Sequence, residues 1–386
     1  MTSNDHHKHP KLAKPPFGKF GRNEWAILGS TCNNIQALAQ QLIAHLSFHH
    51  RCAYVDAAHV SPADPTALPN MLRYGAAMEY TAATDHDQFI CMPTGGDFQR
   101  RVLLNDCDVV LVNGNHHAAS AQVVMVDPAK VASLKRRIDQ LTNVVLFIMM
   151  DEDNVVFDFL SMLPGGKDIP CISIQDVAGI NRFFEQAMQK KIPLLNGLVL
   201  AGGQSRRMGR DKGAIEWHGI PQREYMANLL QPLCKQVFIS CRAEQQYEIG
   251  NKNGILTDTF VDLGPFGALL SAFRAQPDHA WLVVACDLPL LNQHTLEYLL
   301  SVRCPHKIAT TFRSPSHHLP EPLITIWEPK AYAVLLSFLA QGYSCPRKVL
   351  IHSDVHVVEA PMADALLNVN TPEELDGMRR RAEFEK

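Results

Sequence analysis

Leu200-Ala201-Gly202-Gly203-Gln204-Ser205-Arg206-Arg207-Met208-Gly209-Arg210-Asp211-Lys212-Gly213 is the stretch on which the reading of this chain turns. It follows directly on Asn196 to Leu200, an apolar run that reads as a strand. Two adjacent glycines at a strand end allow a tight turn and let a polyphosphate approach the backbone N–H groups. Arg206, Arg207 and Lys212 bring clustered positive charge, which suits a ligand carrying several phosphates. A Gly-Gly pair alone reads better as an ordinary glycine turn beside a solvated charge run. The whole string after a strand points to nucleotide phosphates.

Downstream, Trp281 to Ala285 reads as a buried strand ending in Cys286-Asp287-Leu288-Pro289. Open α/β sheets bind ligands at such strand ends. A carboxylate at Asp287 suits Mg²⁺, which takes oxygen ligands and bridges phosphates. The competing reading is a turn or helix N-cap aspartate ahead of Pro289. Around these two landmarks the pattern predicts helices at Pro221 to Leu230, Ala268 to Ala275, Thr295 to Val302 and Lys330 to Ala340. Strands are expected at Gln236 to Ser240, at Ile255 to Thr257 and near Ile308, Leu323 and Val355. A capping box, Thr371 with Pro372 at N1 and Glu374 at N3, predicts a last helix.

Upstream, strands are predicted at Trp25 to Leu28, Cys52 to Val55, Asp108 to Val112, Gln122 to Val126, Val144 to Met149 and Cys171 to Ile174. Helices are predicted at Asn34 to Leu46, Ala129 to Leu141 and Val177 to Gln189. Residues around 61 to 101 are rich in turn signals, and the pattern does not place elements there. Apolar strands alternating with helices in both halves predict an α/β fold: two α/β domains, each built on a mostly parallel sheet. At roughly 150 residues per domain, 386 residues agree with two. Lys190-Lys191-Ile192-Pro193 is the expected boundary. The divisions are a basic tail at 1–22 with five Lys/Arg and three prolines, a first domain at 23–190 and a second at 194–386.

Composition excludes several classes. Apolar residues at 46% and charged residues at 19% argue against disorder and fibrous repeats. A net charge of −3 lacks the basic excess of a nucleic-acid binder. Runs such as Val144 to Met150 are far shorter than the ~20 residues that span a bilayer. With no signal segment, a cytoplasmic location is expected. The ten cysteines form no C-x-x-C pair, and Cys107, Cys171 and Cys286 read as buried reduced thiols. The paired histidines, such as His116-His117, have the wrong spacing for a metal site on one helix face.

The motifs together resemble the nucleotidyltransferases of the glycosyltransferase-A-like fold and, more narrowly, the molybdenum cofactor guanylyltransferases. Leu200 to Gly203, Arg206-Arg207-Met208-Gly209, Asp211-Lys212-Gly213, the aspartates before Gly264-Pro265-Phe266-Gly267, Cys286-Asp287-Leu288-Pro289 and Asn368-Val369-Asn370 to Leu375 match that family in order. The resemblance implies a Mg²⁺-dependent transfer of GMP from GTP to molybdopterin cofactor, releasing pyrophosphate. Leu200, Ala201, Gly202 and Gly203 would line the guanine and ribose. Arg207 and Lys212 would neutralise the triphosphate, with Arg206 in support, and Asp287 would hold Mg²⁺ and nucleotide. Asp258 would contact base or ribose, with Asp262 an alternative. Asn370 would support the metal or the pterin phosphate. Molybdenum cofactor biosynthesis proteins or apo-molybdoenzymes are further candidate partners. Where the family often has Asn-Arg, this chain has Cys241-Arg242, which weakens the case for guanine. Ser344-Cys345-Pro346-Arg347-Lys348 offers cations for the pterin phosphate or is a solvated basic turn. The rival readings are a cytidylyl- or sugar-nucleotide transferase and a non-catalytic scaffold that binds and delivers the cofactor.

In the first half, Gly29-Ser30-Thr31-Cys32-Asn33-Asn34-Ile35-Gln36 follows a strand in the place of a phosphate loop, G-x-x-x-x-G-K-[ST]. Asn34, Ile35 and Gln36 stand where the second glycine, the lysine and the Ser/Thr belong. Asp108-Val109-Val110-Leu111-Val112-Asn113-Gly114 resembles a strand of the molybdopterin-guanine dinucleotide biosynthesis adapter, with Asn113 replacing an acidic residue. Residues 23–190 thus resemble a degenerate adapter domain expected not to hydrolyse GTP. An unrelated α/β domain is the alternative.

Overall fold

The computed structural model describes residues 22–57, 70–92, 103–151, 155–202, 212–245, 254–368 and 374, with the backbone alone at 70 and 212. The chain forms two compact units, Glu24–Arg182 and a second that contains Phe183–Lys386. The cut falls inside the helix Val177–Gln189. The expected tail at 1–22 lies, but for Arg22, outside the described residues, as do Thr371 and Pro372 of the expected capping box.

The first unit is built on a six-stranded sheet in the order β2-β5-β1-β6-β7-β8. Its strands are β1 (Asn23–Leu28), β2 (Cys52–Val55), β5 (Val109–Asn113), β6 (Ala121–Val126), β7 (Val144–Met149) and β8 (Cys171–Ser173). The pairs β2–β5, β1–β6, β6–β7 and β7–β8 are parallel. Every residue of β1 and β5 is buried, which is why these strands read as continuous apolar runs. The helix Cys32–Leu46 starts two residues before the apolar spacing suggests, because the Thr31 side chain accepts from Asn34 N at 3.3 Å and caps it. It buries Ile35, Leu38, Leu42 and Leu46 on one face.

One expectation needs correction here, and one stretch without expected elements gains a hairpin. The single helix expected at Ala129 to Leu141 is broken into the 3₁₀ turn Pro128–Lys130, the short helix Val131–Lys135 and the 3₁₀ turn Ile138–Gln140. At its far end the Gln122 side chain donates to Gln140 O at 2.7 Å and accepts from Thr142 N and Asn143 N, which stops the helix from continuing past Leu141. The turn-rich stretch contains a hairpin, β3 (Met78–Ala82) with β4 (Asp87–Cys91), on which Tyr80 stacks against Phe89.

The second unit carries a seven-stranded sheet in the order β11-β10-β9-β12-β14-β13-β15. Its strands are β9 (Leu195–Leu200), β10 (Val237–Cys241), β11 (Gly254–Thr257), β12 (Ala280–Ala285), β13 (Ala309–Arg313), β14 (Pro320–Trp327) and β15 (His356–Val358). Strands β11, β10, β9 and β12 run parallel, whereas β14 is antiparallel to both β12 and β13. Met226, Leu230, Leu296 and Leu299 cover one face, and Phe266, Phe273, Leu335 and Val349 the other. The register sets Ser240 and Ala285 on either side of Leu200. Three parallel strands therefore end in one row.

None of the ten cysteines, all among the described residues, is in a disulfide. Cys286 is buried as expected, but Cys171 is exposed and Cys107 half-buried, because both stand at element edges. Among the described residues no helix is long and apolar enough to cross a membrane.

Candidate active site

The row of strand ends opens into a cleft. Ala201 N donates to Ser240 O at 3.1 Å and Asp258 N to Cys241 O at 3.0 Å, so the ladders continue past the strands and hold the following residues at the sheet edge. Leu200, Ala201 and Gly202 form the floor; Ser240 and Asp258 stand on one side, and Ala285, Cys286 and Asp287 on the other. Gly264, Pro265 and Ala268 close it with the first turn of the helix Pro265–Ala275. The positive end of that eleven-residue helix thus lines the cleft, a favourable place for phosphate charge. A Cβ on Gly202 would lie 3.3 Å from Asp258 Oδ2 and 3.6 Å from Arg242 N, so this wall is formed by bare backbone.

Asp258 accepts from Ser240 Oγ at 2.6 Å. Burial pushes its carboxyl above the usual range, against the opposing pull of the Ser240 hydroxyl and the Arg242 charge. Asp262 does not line the cleft. It stands at φ 60 with Gly264 at φ 56, a turn conformation that aspartate tolerates better than most residues. The structure brings Asp258, and not Asp262, to the cleft.

Ser271 and Gly267 were not legible as site residues. Ser271 Oγ accepts from Thr259 N at 2.8 Å and Phe260 N at 3.2 Å, and donates to Gly267 O at 2.7 Å. A Cβ on Gly267 would meet Phe260 O at 2.1 Å. These contacts bind the loop after Asp258 directly onto the helix. The Gly after Gly264-Pro265-Phe266 was the available signal.

Asp287 lies in the turn after β12 and lines the cleft. It is not a helix cap, because Asn292 accepts from Thr295 N at 3.0 Å and caps the next helix. Gln222 Nε2 donates to Leu288 O at 3.3 Å, and His218 Nε2 lies 3.0 Å from Pro289 O, so the turn is pinned from the helix Gln222–Leu230 and its approach. Glu321 at the start of β14 is a residue the sequence reading missed. Burial raises its carboxyl, Arg347 and His317 oppose the rise, and the charge of Asp287 adds to it. Arg347 Nη2 donates to both Glu321 oxygens, at 3.4 and 3.3 Å. Of the basic segment expected to be solvated or pterin-directed, Arg347 is thus engaged next to the cleft, and Lys348 lies over the Tyr343 ring. The buried glutamate inside an apolar strand, Pro320-Glu321-Pro322, was the signal.

Gly203, Arg206, Arg207 and Asn370 lie outside the described residues, as does the side chain of Lys212. Lys212–Ala214 forms a short 3₁₀ turn whose Gly213 reaches the cleft.

The phosphate-loop-like segment of the first unit is filled by its own side chains. Gly29 takes φ 95, and a Cβ there would lie 2.5 Å from Met125 O. Ser30 Oγ donates to Asp127 Oδ2 at 2.5 Å, Asn34 Nδ2 donates to Ser30 Oγ at 2.8 Å, and Asn115 Nδ2 donates to Ser30 O at 3.1 Å. Ile35, in the place of the lysine, is a core residue.

A family model for the MobA-like NTP transferase domain matches residues 197–357, the stretch that contains Gly202, Asp258, Asp287 and Glu321. The molybdenum cofactor guanylyltransferase of Pseudomonas paraeruginosa is 31% identical over 197 residues, which cover 47% of this chain and 93% of that protein. This chain belongs to the molybdenum cofactor guanylyltransferase family. A molybdenum cofactor biosynthesis bifunctional protein from Synechocystis is 34% identical over 181 residues, 47% of this chain, and the chain spans about half, 52%, of its length. Among solved structures, molybdopterin-guanine dinucleotide biosynthesis protein A of Archaeoglobus fulgidus is 22% identical with TM-score 0.41, covering 49% of this chain and 98% of that one. MobB of Bacillus subtilis is 11% identical with TM-score 0.32, covering 42% of this chain and 96% of that one. The matched NTP transferase domain therefore falls within the unit that carries the cleft.

Proposed function

We propose that the chain transfers GMP from GTP to molybdopterin cofactor, forming the guanine dinucleotide cofactor and pyrophosphate. The observation that supports this reading is the single row of strand ends that sets Gly202, Asp258 and Asp287 around one cleft beneath a helix N-terminus. The backbone of Leu200, Ala201, Gly202 and Gly203 receives guanine and ribose, and Asp258 accepts hydrogen bonds from base or ribose. Arg207 and Lys212, with Arg206 in support, offset the charge that builds up as pyrophosphate leaves. The pterin phosphate attacks the α-phosphate in line, a reaction that needs positioning and charge neutralisation more than covalent catalysis.

Asp287 offers hard carboxylate oxygens at the cleft with Glu321 close by, a donor chemistry that fits Mg²⁺. Asp287 would hold the ion, and Asn370 would support it or the pterin phosphate. When bound, Mg²⁺ supplies positive charge to the phosphate oxygens. In this reading residues 194–386 are the enzyme, 23–190 a degenerate adapter domain and 1–22 a basic tail. Molybdenum cofactor biosynthesis proteins or apo-molybdoenzymes are its candidate macromolecular partners.

The test is thermal shift with GTP, CTP, ATP and UTP in Mg²⁺, followed by pyrophosphate release with molybdopterin supplied. GTP should stabilise most and release pyrophosphate only with the acceptor present. A preference for CTP would overturn the base assignment. Binding without pyrophosphate would favour a delivery scaffold.

A further inference from the structure

At the C-terminal edge of the first sheet, six polar side chains meet. Asp56 follows β2, Asn113 ends β5, and Cys32 is the first residue of a fifteen-residue helix capped by Thr31. Cys32 Sγ lies 3.4 Å from His116 Nε2 and 4.0 Å from Asn115 Nδ2. Tyr54 donates its hydroxyl to Asp56 Oδ2 at 2.7 Å. Asn113 is wholly buried and spends its oxygen on Asn115 N at 3.0 Å. Its Nδ2 makes no hydrogen bond of normal length, yet it faces Cys32, Tyr54 and Asp56. A wholly buried amide donor aimed at a sulfur is costly unless an acceptor arrives there.

The thiol is tuned in the same direction. The Asn113 amide and then the His116 ring hold Cys32 below the usual thiol range. Burial instead pushes Cys52 up to about 11, Cys234 up to about 12, and Cys171 and Cys241 upward. The other titratable group facing the sulfur is Tyr54, pushed up by burial; Asp56, bonded to Tyr54, is held low by Tyr54 and Asn113 against burial. The helix N-terminus adds positive potential. Cys32 is partly exposed, so a small reagent can reach it.

We propose that Cys32 is an oxidation site for small hydroperoxides, in which the oxygen added to sulfur takes up the hydrogen bond that Asn113 Nδ2 lacks. The Sγ thiolate attacks one peroxide oxygen; the S–O bond forms as the O–O bond breaks. Sulfur loses two electrons and the peroxide gains them, leaving as hydroxide or alkoxide that takes a proton from protonated His116 or from water. The product is a sulfenic acid at the position that a phosphate loop would occupy.

The experiment treats the full reduced chain with hydrogen peroxide in the presence of dimedone and maps the labelled peptides by mass spectrometry. A lowered thiol gains more in thiolate than it loses in nucleophilicity, so Cys32 should label severalfold faster at pH 7 than exposed Cys91 or Cys345. His116→Gln, at an exposed position, should slow Cys32 alone and move the midpoint of its pH–rate profile upward, with the melting temperature unchanged. Equal or faster labelling of Cys91 or Cys345 overturns the proposal. So does a Cys32 rate and midpoint that His116→Gln leaves in place.

Discussion

Ser240 Oγ and Asp258 Oδ1 lie 2.6 Å apart on the ends of neighbouring strands, and this hydrogen bond holds a half-buried carboxylate against the bare backbone of Gly202. The hydroxyl favours the charged form, whereas burial disfavours it more strongly, so the carboxyl titrates high.

The sign of the consequence follows from linkage. A carboxyl raised by folding binds its proton more tightly in the native state. It favours folding fully below the ordinary value of about 3.9, and that contribution is lost as pH rises through the folded value. Asp258→Asn removes the charge and keeps the shape. The variant should melt higher than the parent at pH 7–8, and the gap should close towards pH 4, as read by thermal denaturation across pH. In the same variant, loss of a hydrogen bond to a charged acceptor, worth about 1.5–3 kcal/mol, should raise KM for GTP by roughly tenfold or more. A gap that widens at low pH would contradict the raised titration.

Gly202→Ala separates binding from folding. The new methyl would sit 3.3 Å from Asp258 Oδ2, tighter than usual but against a side chain that can give. Stability should change by under about 1 kcal/mol. The methyl also fills the face on which the proposed nucleotide lies, so KM for GTP should rise about tenfold with little change in melting temperature. Steady-state kinetics beside a urea titration reads both.

Gly267→Ala should do the reverse. Its Cβ would meet the backbone oxygen of Phe260 at 2.1 Å, and neither partner can rotate away. The helix and the loop after Asp258 must move apart, breaking the Ser271 bonds to Thr259 and Phe260. A loss of about 1–3 kcal/mol or more is expected in urea unfolding, with nucleotide affinity falling as a consequence.

What could be read from residue types was what periodicity and strand ends encode. Asp287 and Gly202 were legible because a buried apolar run stops beside them and the register then aligns the stops. Asp258 could not be told from Asp262 by spacing. The difference is conformational: Asp262 and Gly264 both take positive φ, which spends Asp262 on the turn. Glu321 and Arg347 are 26 residues apart, and their contact exists only once β14 has reversed beside β12. In the stretch expected as one helix at Ala129 to Leu141, the close is held by Gln122, on a neighbouring strand, whose amide bonds Gln140 O and Thr142 N, a contact no local pattern shows.

The two halves make a last distinction possible. In the first unit, Asp127, Asn34 and Asn115 saturate Ser30 and its carbonyl, and Ile35 stands in the core where a phosphate-binding lysine would be needed. Such a loop spends the Ser30 hydroxyl and the Asn34 amide on its own unit and sets no cation in the place of the lysine. The second unit holds Asp287 at a cleft that Gly213 also lines, one residue after Lys212. Any GTP-dependent activity of the full chain should therefore fall by about 10²-fold or more in Lys212→Ala, which removes positive charge facing the leaving pyrophosphate, and in Asp287→Ala, which removes the carboxylate that would hold Mg²⁺. Ile35→Ala, which leaves only a core cavity, should lower stability by about 2–5 kcal/mol while sparing kcat in the molecules that remain folded. GTP hydrolysis that survives Lys212→Ala and Asp287→Ala but disappears with Ile35→Ala at a temperature where that variant is folded would assign the chemistry to the first unit instead.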